Sequence, residues 1–494
     1  MKLYKHIFFR CCVLAVVLFC SSCKKYLDLK PQDGVIRQNF WKTKEQVQAA
    51  VIGCYGSLLG DPPLSEYFFL WGELRADMLT PSIGISGDEL DVMNVNILST
   101  NPITNWRSVY RTINNCNTVI DFAPEVLVND KTFTQEALDA YLAEVKTLRA
   151  LMYFYLVRSF RDIPLKIKAT SSDSELEQLA KNTDAEVLTQ ILKDLGEAEV
   201  SALPTYNNQA FDKGRVTRYT VNAIQADVYL WMEKYSDAIT ACDKIINSGR
   251  FGLIAGNSSW FNTLYVTGNS NESIFEFQFD RQKLNTFYPM FRTRPRFIPS
   301  GIIGTDFFTG DGENDLKDIR YDGAAVSVNN QLIWKYIATD NNSFRAQEES
   351  YAHWIVYRYA DVLLMKAEAL SQTPGKGQDA IDIISRIRLR AQALPQTNRV
   401  VDPSDMEGIA DFILDERARE FAYEGKRWYD ILRHAKRNKY KRIDLLLNMV
   451  SKTVPPDRQQ SAIAKFKDVN SHYFPIFQYE LQTDKNLVQN PFYK

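Results

Sequence analysis

The sequence predicts a mostly α-helical protein, with helix pairs as a scaffold beneath a loop-rich, partly irregular face that carries a few short strands. Three observations predict it. Gln135–Phe160 (QEALDAYLAEVKTLRALMYFYLVRSF) is a long helical run with few breakers, stopped by Asp162-Ile163-Pro164. Val221–Gly249 reads as two antiparallel helices joined at Glu233–Tyr235, and a second pair fits Tyr359–Leu370 and Gln378–Ala391 across Pro374-Gly375-Lys376-Gly377. Between the pairs, Trp260–Gln347 turns rich in Gly, Asn, Asp and aromatic residues, with β-like runs such as Ser273–Phe279.

The chain begins with a basic stretch, MKLYKHIFFR, followed by the apolar segment Cys11–Cys20 and the small residues Ser21 and Ser22. That layout is a secretory signal. The apolar segment is too short to span a bilayer, which takes about 20 residues. Residues 1–22 are therefore expected to be a signal peptide. A cysteine directly after the small residues marks the acylated end of a bacterial lipoprotein, so Cys23 is the expected lipidation site. Two or three acyl chains give a stable anchor. Residues 23–40 read as the lipid-anchored tether, polar across Tyr26–Asn39 with Pro31 and Gly34. Residues 41–494 are expected to form a single domain, with an N-terminal part over about 41–250, a loop-rich insertion over about 251–347 and a helical C-terminal part over about 348–494.

From Trp41 to about Leu59, Val47, Ala50, Val51, Cys54, Tyr55 and Leu58 recur at the spacing of one helical face, with Thr43 near its start. Thr80–Asn105 is rich in Gly, Pro, Ser and Asn and reads as a long surface loop. Trp106–Phe122 is helical again, and Trp106 is assigned to the core. In the first helix pair, Ala226, Tyr229 and Ala238 occupy small and aromatic positions of a tetratricopeptide repeat, whereas Cys242 and Ile245 depart from it. Met406–Lys436 returns to helix, and Phe466–Lys494 is irregular and aromatic.

Composition narrows the chemistry. Lys+Arg total 59 against 60 Asp+Glu, a formal net charge of −1, and loss of Lys2, Lys5 and Arg10 with the leader makes the chain more acidic. Phosphate-backbone binding then has no electrostatic driver, so no nucleic-acid partner is expected. Beyond Cys23 the cysteines are Cys54, Cys116 and Cys242, too widely spaced for a zinc site or a disulfide framework, and they read as small buried apolar residues. No GxSxG, P-loop, HExxH or dinucleotide fingerprint occurs, and no cofactor is expected.

Two clusters test that reading. Glu416, Glu420 and Glu424 recur every four residues, a spacing that tempts a glycosidase assignment. Arg417, Arg419, Lys426, Arg427 and Arg433 are interleaved with them. Pairing with arginine lowers a carboxyl pKa, whereas a general acid needs one raised. The expected role is an ion-pair network that docks this helix, with Trp428, Tyr429 and Leu432 as its packing face, and the chain is not expected to be an enzyme. Gly310–Asp318 carries Asp311, Glu313 and Asp315 like half a calcium loop. The complete spacing is missing, so it reads as a solvated loop, with a weak calcium site as the alternative.

Several blocks together resemble one family: Ala143–Leu165, Ser273–Phe279, Arg358–Ala369, Leu414–Arg433 (LDERAREFAYEGKRWYDILR) and Tyr473–Tyr493, which holds a QNPFY end. With the lipobox they resemble the SusD/RagB family of outer-membrane lipoproteins. There are departures. Arg161-Asp162 stands where Gly-Asp is common, Phe477 where a second Pro is common, and Lys24-Lys25 is not the acidic run linked with surface export. The resemblance implies a helical scaffold of tetratricopeptide-like pairs and a place in the outer membrane, lipid-anchored and facing the exterior. It also implies capture of oligosaccharides for a partner SusC-like TonB-dependent transporter. The alternatives it leaves are a peptide-capturing cap of the RagB kind and a structural subunit of the transporter with no ligand of its own.

A sugar offers apolar C–H faces and a rim of hydroxyls, which call for exposed aromatic planes beside Asn, Asp, Gln or Arg. Two loop-like segments have that mix. Tyr67–Asn96 supplies Tyr67, Trp71, Asp77, Asp91, Asn94 and Asn96. Asn285–Phe297 (NTFYPMFRTRPRF) supplies Tyr288, Phe291, Arg292, Arg294 and Arg296. In a strand-like run the three alternate arginines would point the same way. They would then suit an anionic sugar, or acidic groups of the transporter or of this chain.

Overall fold

The computed structural model describes residues 40–170, 177–309 and 317–494. The expected signal peptide, Cys23, the expected tether as far as Asn39, and Asp311, Glu313 and Asp315 lie outside the described residues. The N-terminal helices are α1 (Lys44–Leu58), α2 (Leu64–Glu73), α3 (Gly87–Met93), α4 (Arg107–Phe122), α5 (Val126–Asn129), α6 (Gln135–Phe160), α7 (Asp184–Ser201), α8 (Gln209–Gly214), α9 (Arg218–Trp231) and α10 (Tyr235–Ile246). The C-terminal helices are α11 (Tyr359–Ser371), α12 (Gly377–Arg390), α13 (Met406–Glu420), α14 (Arg427–Tyr440), α15 (Asp444–Thr453), α16 (Pro456–Phe466) and α17 (Gln478–Thr483).

The scaffold follows from local sequence. Thr43 and Gln46 close a reciprocal capping box at the start of α1, which buries Val47, Val51, Cys54 and Leu58 along one stripe. Every residue of α6 from Thr147 to Phe160 is buried, because other helices cover it on several sides. The pair α9–α10 turns at Glu233, whose φ is +58°, and α11–α12 turns at Gly375, whose φ is +75°. The helices stack in the order α1, α4, α6, α7, α9, α10, α11, with α12 and α13 packed on α11. Such stacking buries faces that one pair alone leaves open. Cys54, Cys116 and Cys242 are free thiols inside this core.

Two expectations are corrected. Met406–Lys436 is not one helix: α13 ends at Glu420, and Tyr423 and Gly425 adopt φ of +64° and +70° before α14 begins. The cause is a backbone-to-backbone contact with α2, where a Cβ on Gly72 would lie 1.9 Å from the Gly425 carbonyl oxygen. The stretch Thr80–Asn105 is not wholly loop. Ser86 accepts from the Glu89 N–H and Glu89 reaches back to the Ser86 N–H, a capping box that starts α3.

The strands are short antiparallel pairs. β2 (Ser273–Phe277) pairs with β6 (Trp354–Arg358), and β4 (Val326–Ser327) pairs with β5 (Leu332–Ile333). β1 (Leu79–Pro81) pairs with β3 (Phe297–Pro299), Thr80 opposite Ile298.

A buried ion-pair network clamps the irregular insertion to the helices. Arg358, fully buried, reaches Glu272 and Glu420 at 2.6 Å each and Glu424 at 3.1 Å. Arg320, in the insertion, reaches Glu416 at 2.6 Å and Glu420 at 3.1 Å. Arg388 and Arg419 complete the pairing of Glu416, Arg390 pairs with Glu420, and Lys335 lies 2.8 Å from Glu424. Burial alone would raise the Glu416 carboxyl, but Arg320, Arg419 and Arg388 outweigh it and hold the group at about 2. Arg390, Arg358 and Arg320 likewise outweigh burial at Glu420. These carboxylates are ionised and fully engaged, so none can serve as a general acid. Glu424 joins from the turn after α13 and not from its helical face.

Candidate functional site

The two candidate segments lie far apart in sequence and are zipped together in space. Beyond the β1–β3 pair, Ser82 N–H donates to the Arg296 carbonyl at 3.0 Å and Gly84 N–H to the Pro295 carbonyl at 2.8 Å. Any Cβ on Gly84 would lie 2.2 Å from the Arg294 carbonyl oxygen, so only glycine permits this approach.

Beside this seam is an open cleft of about 200 Å³, lined among others by Glu66, Tyr67, Ser86, Asp88, Pro102 and Arg296. It is smaller than the ~300–1,000 Å³ of a drug-sized pocket, a size suited to one ring held at the surface. Tyr67 stands on the open edge of α2, half-buried, with its ring 5.9 Å from that of Trp71. Burial, with Glu66 close by, raises its phenol above the ordinary range, so the hydroxyl stays protonated. Arg296 spans the cleft, donating to Glu66 at 2.7 Å and to Glu89 at 2.6 Å. Burial opposes its charge, but Glu89 and Glu66 outweigh this and hold the guanidinium above its usual pKa. Asp88 is exposed, and no described residue hydrogen-bonds to its carboxylate.

The second segment has its own rim. The turn Pro289–Thr293 is π-helical, which sends Met290 and Phe291 inward and leaves Arg292 exposed. The Arg292 guanidinium lies 4.1 Å over the half-buried ring of Phe344. Tyr288 is half-buried, and its N–H donates to Ser350 Oγ at 3.3 Å.

Several candidates serve the core and not a ligand. Trp71 is fully buried, its indole N–H donating to the Ile103 carbonyl at 2.7 Å and its ring set edge-on to Phe160. Phe291 is fully buried beside Phe69 and Phe287. Asp77 is buried and pairs with Arg427 through both oxygens. Asn94 is buried at the C-terminus of α3. Asp91 is half-buried on α3, and exposed Asn96 accepts from Lys465 at 3.3 Å. The three arginines do not share one direction, because Arg292 follows a π-helical turn, Arg294 donates weakly to the Ile83 carbonyl at 3.4 Å, and Arg296 turns in to Glu66 and Glu89. Trp106 is buried, as expected, although it caps α4 and is not within it. Glu66, Asp88 and Pro102 went unnoticed in the sequence. The Ser86-x-x-Glu89 capping pattern is the signal that would have placed a helix start next to Tyr67.

Comparison with known proteins fits this architecture. Residues 25–230 match the family described as starch-binding associating with outer membrane, and residues 310–493 match the SusD family. The chain belongs to the SusD/RagB family. A SusD-like protein of Formosa agariphila is 27% identical over 481 residues, covering 88% of this chain and 92% of that one. The crystal structure of a SusD superfamily protein from Bacteroides vulgatus superposes with a TM-score of 0.73 at 23% identity, covering 92% of this chain and all of the other. NanU of B. fragilis superposes with a TM-score of 0.71 at 23% identity, covering 94% of this chain and 100% of that one. SusD/RagB membership places the chain in a class of carbohydrate-binding accessory proteins associated with the outer membrane. No helix among the described residues is long and apolar enough to cross a membrane.

Proposed function

We propose that this chain is a lipid-anchored, cell-surface protein that captures oligosaccharides and delivers them to a partner SusC-like TonB-dependent transporter. It binds and does not cleave. The observation that carries the reading is the cleft beside the seam between Leu79–Gly84 and Arg294–Pro299, where half-buried Tyr67 and exposed Asp88 stand with Arg296; Tyr288 and Arg292 give a second rim on the segment that leads into that seam. Aromatic rings would take the C–H faces of a sugar while the charged rim reads its hydroxyls. Such contacts, partly offset by desolvation of those hydroxyls, give modest affinity, which suits a ligand that must be passed on.

The test is affinity electrophoresis of the purified protein over a panel of polysaccharides, beside a Tyr67→Ala/Tyr288→Ala variant. Retardation by at least one polysaccharide, weakened in the variant, is the expected result. Release of reducing ends at catalytic turnover would sink the binding-protein reading. For the anchor, Cys23→Ala is expected to move the protein out of the membrane fraction.

A further inference from the structure

A second cleft, built from different residues, lies between the turn before α8, the start of α9 and the loop after α10. It measures about 280 Å³ and is lined by Asn207, Lys213, Tyr219, Arg250, Phe251 and Asn271, among others. We propose that it is a second saccharide-binding site, one that favours a ring bearing a carboxylate or sulfate; the proposal rests on the glycan-capture reading.

Its walls and floor are set by contacts already satisfied. The rings of Tyr219 and Phe251 meet edge-on, centroids 5.3 Å apart at 74°, and both are half-buried. Lys213 is buried beneath them, its ammonium 4.5 Å from the Phe251 centroid and donating to the Ser273 carbonyl at 2.6 Å. Asp212 accepts from the Thr205 hydroxyl at 2.7 Å and so holds the turn that carries Asn207, whose φ is +55°. Asparagine tolerates that left-handed geometry better than most residues. Gln209 donates to the Asn269 carbonyl at 2.8 Å, and the Asn208 side chain accepts from the Phe211 N–H at 3.0 Å.

What remains is a set of polar groups with nothing to bond. Among the described residues, none hydrogen-bonds to the side-chain amides of Asn207 and Asn271, the Tyr219 hydroxyl or the Arg250 guanidinium. Unlike Arg149, Arg320 and Arg427, Arg250 has no carboxylate partner among the described residues; its guanidinium lies 5.9 Å from the centroid of the Tyr219 ring. Amides and a phenol over an aromatic wall match the hydroxyl rim and apolar face of a pyranose. A guanidinium without a carboxylate partner beside a buried ammonium, two cations against the one lining carboxylate of Asp212, adds a preference for an anionic substituent.

The experiment measures affinity for four probes: soluble starch, laminarin, polygalacturonate and chondroitin sulfate. Four proteins are compared: the unaltered chain, the cleft variant Arg250→Ala/Asn271→Ala, the rim variant Tyr67→Ala/Tyr288→Ala, and their combination. Tyr219→Phe serves as a second cleft variant that removes one hydroxyl only. Because no described residue hydrogen-bonds to the altered cleft groups, melting temperature is expected to hold. The expected result is binding strongest to an acidic probe, weakened at least about tenfold by the cleft variant, the scale of one lost hydrogen bond to charge, and surviving in part in the rim variant. Loss in the rim variant, with both cleft variants unchanged, overturns this inference and leaves the proposed function standing. No binding of any probe by the unaltered chain overturns both.

Discussion

Arg427 and Asp77 face each other in a two-pronged ion pair, Nε to Oδ1 and Nη2 to Oδ2 each at 2.8 Å, across 350 positions of sequence. The pair ties the segment after α2 to the start of α14. Those two elements also touch through Gly72 and Gly425, and Glu73 accepts from the Gly425 N–H at 2.8 Å. The position of α2, and so of Tyr67 on its open edge, depends on the C-terminal part of the chain.

Asp77→Ala is expected to destabilise the protein by about 3–5 kcal/mol, because it leaves the Arg427 charge buried without its partner. Urea unfolding measures this. Glycan affinity of the folded fraction is expected to hold, and a selective loss of affinity at parental stability would return Asp77 to the ligand.

Phe291→Ala is expected to cost about 3–5 kcal/mol, the range for emptying a buried phenylalanine site. The ring lies 5.2 Å from Phe69 and 5.8 Å from Phe287, and none of it is accessible. Tyr288→Ala, at a half-exposed ring three residues earlier, is expected to leave stability within about 1 kcal/mol and to weaken glycan binding. The opposite pattern would place the ligand inside the hydrophobic cluster, which the packing forbids.

Stability is expected to fall as pH rises from about 4.5 to about 8 through Glu73. Burial pushes its carboxyl up to about 8, against an ordinary value of 4.5. Across that window the folded chain keeps a proton that the unfolded chain has released, so rising pH favours unfolding. Glu73→Gln removes the contribution, and its melting temperature is expected to depend less steeply on pH there. An unchanged slope would show that Glu73 is ionised in the folded state.

The buried network acts in the other direction. Glu416 sits at about 2 in the folded chain, held there by Arg320, Arg419 and Arg388 against burial. Its contribution is complete above about 4.5 and is lost as pH falls from there toward 2. Glu416→Gln is expected to lower stability at neutral pH and to reduce the acid-limb slope, both read by melting curves.

Much of the scaffold is legible in the sequence because its signals are local. The ends of α6, the hinge at Glu233 and the Pro374–Gly377 turn all follow from period and breakers within a few residues. The interleaving of Glu416 and Glu420 with arginines was enough to predict a buried network. The binding face is different. Trp71, Asp77 and Phe291 have the residue types of a sugar site and lie next to Tyr67 and Tyr288 in the same segments, yet they turn inward. Whether an aromatic ring stacks on a ligand or on Phe287 depends on what long-range packing places over it, and the π-helical turn at Pro289–Thr293 has no period that marks it in advance.

The sequence by itself determined the helical pairs, the ion-pair role of the glutamates and the family, because periodicity, charge interleaving and linear motifs are properties of neighbouring residues. Only the tertiary structure decided which candidate side chains remain open. It joined Leu79–Pro81 to Phe297–Pro299 and closed Gly72 against Gly425, contacts between segments hundreds of residues apart. Exposure is a property of those contacts: the same Tyr, Asp or Arg is a ligand group or a core strut according to what packs against it.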